Sequence, residues 1–238
     1  MALEIEYGRR EWRDDPAAAH AEAERRVALT AAAENPADRE AIYFSDLGAL
    51  RAIPPGLGTI DGLLEVQAGF GRMPGSDDAY FGLNLKLAAV DAVSEARQLQ
   101  RLGLSKCPVT DLHALSDLKY LQRLDLSETE SSDLAPLAGL TALQSLDLGG
   151  TQVADLAPLA GLTALQSLDL RGTQVAALSI LLTLPAFAEE RGARLDVRRT
   201  PATEADPALA AAADTGDVAE QAVRVVRDRK STRLNSSH

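Results

Sequence analysis

The chain has 238 residues, enough for one domain or two small ones. Apolar residues make up 46% and charged residues 25%, ordinary for a soluble globular chain, but aromatics are only 4%, so any core must be aliphatic. A formal charge of -11 argues against a general nucleic-acid binder, which needs a basic face, and against docking on anionic membrane; the single cysteine excludes an intrachain disulfide and a cysteine zinc cluster.

The first residues, MALEIEYGRREWRDDP, lack the basic-then-apolar layout of a secretory signal. No apolar run approaches the ~18 residues of a membrane span. The default expectation is a soluble, cytoplasmic protein. Asp15-Pro16 is a helix start, because aspartate caps free N–H groups and proline fits the first turn. The alanine-rich run 16–34 follows, with Glu22 and Arg26 at supporting i,i+4 spacing, and Asn35-Pro36 ends it. Residues 1–40 are therefore read as an N-terminal helical cap, with Trp12 either packed beneath the helix or offered to a partner. Ile42 and Phe44 then alternate as strand positions. Ile53, Leu57, Ile60, Leu63 and Val66 fill core positions through LRAIPPGLGTIDGLLEV.

The middle of the chain repeats every 22 residues. Residues 134–155 read LAPLAGLTALQSLDLGGTQVAD and residues 156–177 read LAPLAGLTALQSLDLRGTQVAA; they differ at Gly149/Arg171 and Asp155/Ala177 only. Residues 112–133 and 90–111 keep apolar residues in the matching slots. The shared pattern L-x-x-L-x-L-x-x-T-x-V-x-D-L is carried in one copy by Leu143, Leu146, Leu148, Thr151, Val153, Asp155 and Leu156. Its L-x-L core has period 2, so Leu146 and Leu148 point inward from a short strand while Ser145, Asp147 and Gly149 point out. Leu134, Leu137, Leu140 and Leu143 recur every third residue, which suits a 3₁₀-like return. Asp111, Asp133 and Asp155 precede those returns, where a carboxylate can cap the first free N–H groups. Pro136 and Pro158 fall in the first turn, where a missing N–H costs little.

This pattern resembles the leucine-rich repeat family in its 22-residue bacterial form, like the repeats of internalin-type proteins. The resemblance covers at least residues 90–177 and extends over about 42–200. It implies an α/β solenoid with short parallel strands on a concave face, 3₁₀ or short helical returns and an N-terminal helical cap. Thr151 stands where many family members carry an asparagine that bonds the turn backbone of neighbouring coils; Thr129, Thr173 and Thr200 would form a similar, weaker hydroxyl ladder. Cys107 takes this slot in its own repeat as a small buried side chain rather than a nucleophile. The Pro-Pro return near residue 54 is closer to the 23-residue class.

The organisation read from this is a cap at 1–40 and a solenoid at 41–200. Within the solenoid the regular repeats occupy 90–177 and an irregular insertion occupies 69–82. In the insertion, GFGRMPGSDDAYFG, Tyr80 and Gly82 fall on the strand slots of the 22-residue grid, with Leu85 and Leu87 in the turn slots, so the insertion is expected to replace a return rather than a strand. Its glycines Gly69, Gly71 and Gly75 match no phosphate-loop spacing. Phe70, Tyr80 and Phe81 either plug the gap between coils or bind a partner. Leu178, Leu181, Leu184 and Phe187 continue the pattern, and Leu195, Val197 and Thr200 recover it after a five-residue insertion. Residues 201–227 read as a C-terminal helical cap or linker. Residues 228–238, DRKSTRLNSSH, look like the translation of a common sequencing adapter, which predicts that the natural chain continues past Arg227. Those residues hold three basic groups and one acidic, so without them the balance is more acidic still.

No Ser-His-Asp, Cys-His or metal-ligand spacing appears; His20 and His113 lie far apart in sequence. The expectation is no enzyme, no cofactor and no metal. The candidate partner surface is a concave ladder of Gly103, Asp125, Asp147 and Asp169 beside Arg101, Arg123, Ser145 and Ser167, together with Arg171 and the aromatics Phe70, Tyr80 and Phe81. The plainer alternative is that L-D-L is a soluble strand filler, so that Asp147→Ala would leave stability nearly unchanged. Nothing in the sequence points to a pocket that raises a carboxylate pKa. Two near-identical coils suggest recent duplication, which places specific recognition in the divergent coils 42–133. The function expected is a non-catalytic scaffold for an unidentified protein partner, with neither nucleic acid nor membrane as ligand and the oligomeric state left open. The alternatives are the sensor part of a larger bacterial signalling protein, with a Toll/interleukin-receptor-like or GTPase-like domain beyond Arg227, and a host-directed effector.

Overall fold

Each 22-residue period closes one turn of a solenoid. A computed structural model of the protein describes residues 14–69, 71–72, 80–81, 86–188, 193–205 and 207. Trp12, Phe70, the inserted residues 189–192, the expected helical stretch 208–227 and the adapter-like tail 228–238 lie outside the described residues.

Alternation within each L-x-L segment makes a three-residue strand, and seven of these stack in parallel. In chain order they are β1 (Ala41–Tyr43), β2 (Glu65–Gln67), β5 (Arg101–Gly103), β6 (Arg123–Asp125), β7 (Ser145–Asp147), β8 (Ser167–Asp169) and β9 (Arg194–Asp196). β3 (Gly71–Arg72) and β4 (Tyr80–Phe81) pair with each other in a separate antiparallel hairpin. The register places like slots side by side: Val66 beside Leu102, then Leu124, Leu146, Leu168 and Leu195. The last pairing confirms the five-residue insertion before β9.

Every strand buries its central residue, and the returns bury the leucines spaced three apart. Leu134, Leu137, Leu140 and Leu143 are all inaccessible or nearly so. The returns are 3₁₀ turns at Leu57–Thr59, Asp91–Glu95, His113–Leu115, Ala135–Leu137, Ala157–Gly161 and Ser179–Thr183. Period 3.0 puts one leucine per turn on the same inward line. One aliphatic core runs from Ala19 to Ala202, since no coil can bury its leucines without neighbours.

Two expectations need correction. Tyr80 does not occupy a slot of the main sheet. The slot is filled by Val66, and the return is retained at Asp91–Glu95, so the insertion lies between strand and return. The grid misplaced it because a fixed period cannot see a coil lengthened to 36 residues between Glu65 and Arg101. The Glu65 strand follows Ala41 by 24 residues, nearer the 23-residue class than the 22-residue one, as the Pro-Pro return suggested. The threonine hydroxyls do not bridge coils. Thr129, Thr151, Thr173 and Thr200 each donate to the carbonyl three residues back in their own coil, at 2.7–2.8 Å. The threonine hydroxyls are spent on their own coil's turn, which leaves them no proton for the next one. Ser131 does reach across, donating to Val109 O at 2.9 Å.

The N-terminal side is covered by the helix Pro16–Ala32, capped by Asp15, whose carboxylate accepts from the N–H groups of Ala17 and Ala18. Arg26 is fully buried on its inner face. The guanidinium makes a two-pronged bond to Asp46 (2.6 and 2.8 Å), donates to Tyr43 O at 2.7 Å and to Glu22 at 3.0 Å. Burial alone would discourage the charge, but Asp46 and Glu22 outweigh it and hold the Arg26 pKa above its ordinary value. Glu22 is likewise opposed by burial, and its bonds from Arg25 and Arg26 keep its carboxyl below the usual range. The i,i+4 pair read as helix support is thus half of a buried anchor between helix and first coil.

The turn after each of the strands β5 to β9 turns on one left-handed residue. Lys106, Glu128, Gly150, Gly172 and Arg199 all take positive φ, between 55° and 73°. The N–H of the first four donates to a carbonyl of the next coil: Ser127, Gly149, Arg171 and Arg198 respectively. The conformation is kept even where the residue is not glycine, because it aims that N–H at the neighbour.

Candidate functional site

The strands are so short that each offers only two outward side chains to the sheet's open face. Their register makes two rows. One row runs Glu65, Arg101, Arg123, Ser145, Ser167, Arg194; the other runs Gln67, Gly103, Asp125, Asp147, Asp169, Asp196. The structure therefore brings together five expected residues, Arg101, Arg123, Asp125, Asp147 and Asp169. Arg171 lies two residues beyond Asp169, in the turn that follows the strand. Tyr80 and Phe81 belong to the β3–β4 hairpin, outside this sheet, and Phe70 lies outside the described residues.

A depression of about 300 Å³ opens on this face between β2 and β7, lined by Glu65, Gln67, Arg101, Arg123, Asp125, Ser145 and Asp147 among others. Glu65, Gln67, Arg194 and Asp196 escaped the sequence reading. Glu65 and Gln67 were missed because their coil is 36 residues long, and Arg194 and Asp196 because theirs is 27. The signal that could have found them is the apolar-centred triplet itself, Glu65-Val66-Gln67 and Arg194-Leu195-Asp196.

The aspartates do two jobs. Asp125, Asp147, Asp169 and Asp196 each accept with Oδ1 from the backbone N–H two residues on, at 2.8–3.1 Å. This side-chain bond closes the turn that leads to the left-handed residue. L-D-L is thus more than a soluble filler. The same carboxylates form the acidic row, and their surroundings differ. Asp169 has Arg171 at 3.5 Å, and Asp196 is gripped by Arg198 through Nε and Nη2. Burial pushes Asp196 up, but the Arg198 bonds outweigh it and hold the carboxyl below the usual range. Burial pushes Asp169 above it, opposed by the Arg171 N–H and charge.

Asp147 has Gly149 where its neighbour has Arg171. Burial pushes its carboxyl up to about 6, the Gly149 N–H opposes this, and the charges of Asp169 and Asp125 add to it. The sequence carries no sign of this shift. Desolvation here comes from adjacent coils, which the strand's own sequence does not display.

The basic row is also uneven. Arg101 is paired with Glu65 at 2.6 Å. Arg123 is exposed and forms no ion pair among the described residues.

Elsewhere, Cys107 is buried, and burial first and Asp125 second push its thiol up to about 12. The thiolate that nucleophilic chemistry requires is suppressed there. His113 shares a 2.6 Å contact with Asp111 on an exposed return, and the Asp111 carboxylate raises its pKa. Among the described residues no group of three His, Cys, Asp or Glu could hold a metal, and no helix is long and apolar enough to cross a membrane.

No family model matches the sequence, and no curated protein matches it. Solved structures do share the fold. An internalin C2 of Listeria monocytogenes is 22% identical with a TM-score of 0.50, over 84% of this chain and 91% of that one. A second internalin of the same organism is 22% identical with a TM-score of 0.45; the match covers 69% of this chain and only 53% of that one. A plant peptide hormone receptor, RGFR1 in complex with RGF2, is 19% identical with a TM-score of 0.46, over 65% of this chain and 29% of that one. Seven stacked parallel strands with 3₁₀ returns, together with the likeness to internalin C2, show a leucine-rich repeat solenoid.

Proposed function

We propose that the chain is a non-catalytic scaffold that binds a protein partner on the open face of its seven-stranded sheet. The observation that carries this is the depression between β2 and β7, a concave area lined by both charges on a rigid, in-register sheet. Such a surface has hydrogen-bonding and charged groups fixed before a ligand arrives, which lowers the cost of ordering on binding. The raised thiol of Cys107 argues in the same direction, since it removes the chain's single sulfur nucleophile from use.

The test uses the full chain against a displayed library of random twelve-residue peptides. Selected peptides should lose binding to Ser145→Trp, which fills the face, and keep binding to Ala160→Trp on the outer return. Retention by both variants, or selection of no peptide at all, would overturn the reading.

A further inference from the structure

Opposite charges stand side by side in the depression without satisfying each other. Arg123 and Asp125 leave β6 on the same face two residues apart, roughly 6.8 Å along a strand. Asp147 lies next to Asp125 across the register. Arg123 forms no ion pair among the described residues, whereas Arg101, Arg171 and Arg198 each have a carboxylate. Asp125 and Asp147 form none either: their Oδ1 atoms serve the turn, bonding Ser127 and Gly149, and their Oδ2 atoms take no hydrogen bond among the described residues.

The chain contains its own comparison. In the duplicated coil the residue two positions after the turn aspartate is Arg171, whose guanidinium lies 3.5 Å from Asp169. In the first copy that position is Gly149, and the matching carboxylate, Asp147, keeps no arginine of its own. A Cβ at Gly149 would sit 3.1 Å from Asp147 Oδ1. The same Cβ would lie 3.6 Å from Arg171 Nη2, so the neighbouring coil's guanidinium reaches across this glycine, yet it pairs with Asp169 and not with Asp147.

From this arrangement we infer that the face recognises an extended segment of a protein partner that carries a carboxylate and a lysine or arginine two residues apart. The carboxylate meets Arg123, and the cation lies between Asp125 and Asp147. Alternate residues of an extended chain point the same way and are spaced by roughly 6.8 Å, which matches the backbone spacing of Arg123 and Asp125 on β6. The overall acidic balance adds long-range attraction for the cationic part. This inference rests on the scaffold reading and specifies its ligand.

The experiment sequences the peptides selected on the full chain and measures two of them by titration calorimetry. Acid-x-base pairs should be enriched. Arg123→Gln should weaken binding at least tenfold and remove the preference for the acid in a fresh selection. Asp125→Asn with Asp147→Asn should weaken it similarly and remove the preference for the base, while retaining the turn bonds. Peptides that Ser145→Trp blocks but that lack the charge pair would overturn this inference and leave the scaffold reading standing. Peptides that Ser145→Trp does not block would overturn both, as would failure to select any. Equal binding by wild type and the asparagine pair would overturn the role given to the aspartates.

Discussion

Arg26 and Asp46 meet side by side, both terminal guanidinium nitrogens on both carboxylate oxygens, with each side chain 1% exposed. Asp46 lies in the first coil and Arg26 in the cap helix, 20 residues earlier. Asp46→Ala is expected to destabilise the chain by about 3–5 kcal/mol in urea melts, because it leaves a buried guanidinium short of its main counter-charge. Replacing both residues by aliphatic ones should cost much less than Asp46→Ala alone. Equal losses would mean the ion pair does not fasten the helix.

Asp147 separates the turn bond from the charge. Asp147→Ala loses the acceptor for Gly149 N–H, so the near-neutral outcome read from the sequence is replaced by a loss of about 1 kcal/mol. Asp147→Asn keeps an acceptor and removes the desolvated charge, and should match or exceed the wild type at pH 7. Thermal melts of both variants check the order.

The same residue predicts a pH effect. Its folded pKa of about 6 lies above the ordinary carboxylate value. Between about pH 4 and 6 the unfolded chain releases a proton that folded Asp147 keeps, so its contribution to stability falls as pH rises through that window. Asp169 acts in the same direction; Asp196 and Glu22, held low, act oppositely, gaining stability as pH rises above their lowered values. The difference between wild type and Asp147→Asn isolates the effect, on the order of 1 kcal/mol after solvent screening. It should favour the variant more at pH 7 than at pH 4.

Leu146 is 1% exposed at the centre of β7, flanked in register by Leu124 and Leu168. Leu146→Ala should cost about 2–5 kcal/mol, and Leu146→Asp should unfold the array cooperatively. Circular dichroism melts check both, and a mild effect of the aspartate would mean that the strand register is wrong.

Two glycines answer to backbone geometry. Gly150 has φ 73°, so Gly150→Ala should lose about 1 kcal/mol. A Cβ on Gly69 would lie 2.2 Å from Ser105 N, so Gly69→Ala must move a neighbouring coil and should lose more. Comparing their denaturation midpoints tests the ranking.

Much of this was legible because it is local. A carboxylate two residues before a return's first N–H announces its own cap, and Asp111, Asp133 and Asp155 all make that bond at 2.8 Å. The leucine slots follow from period alone. The partnership of Arg26 with Asp46 is not local, and neither is the pairing of Glu65 with Arg101 across a lengthened coil. The raised pKa of Asp147 depends on what the coils on either side exclude from water. In the candidate site, the aspartate row could be read from the repeat, whereas the missing side chain at Gly149 acquires meaning only beside the placed Arg171.

The left-handed turn residue passes its N–H to the next coil, and the junctions on either side of residues 156–177 are alike: Asp155 leads into Leu156 as Ala177 leads into Leu178. Excising those 22 residues would join Asp155 to Leu178 and return every slot to its phase. The expected product is a shorter solenoid with six strands in its main sheet rather than a broken fold. The duplicated coil acts as a spacer, setting how far the open face extends beyond the depression while the depression itself stays unchanged.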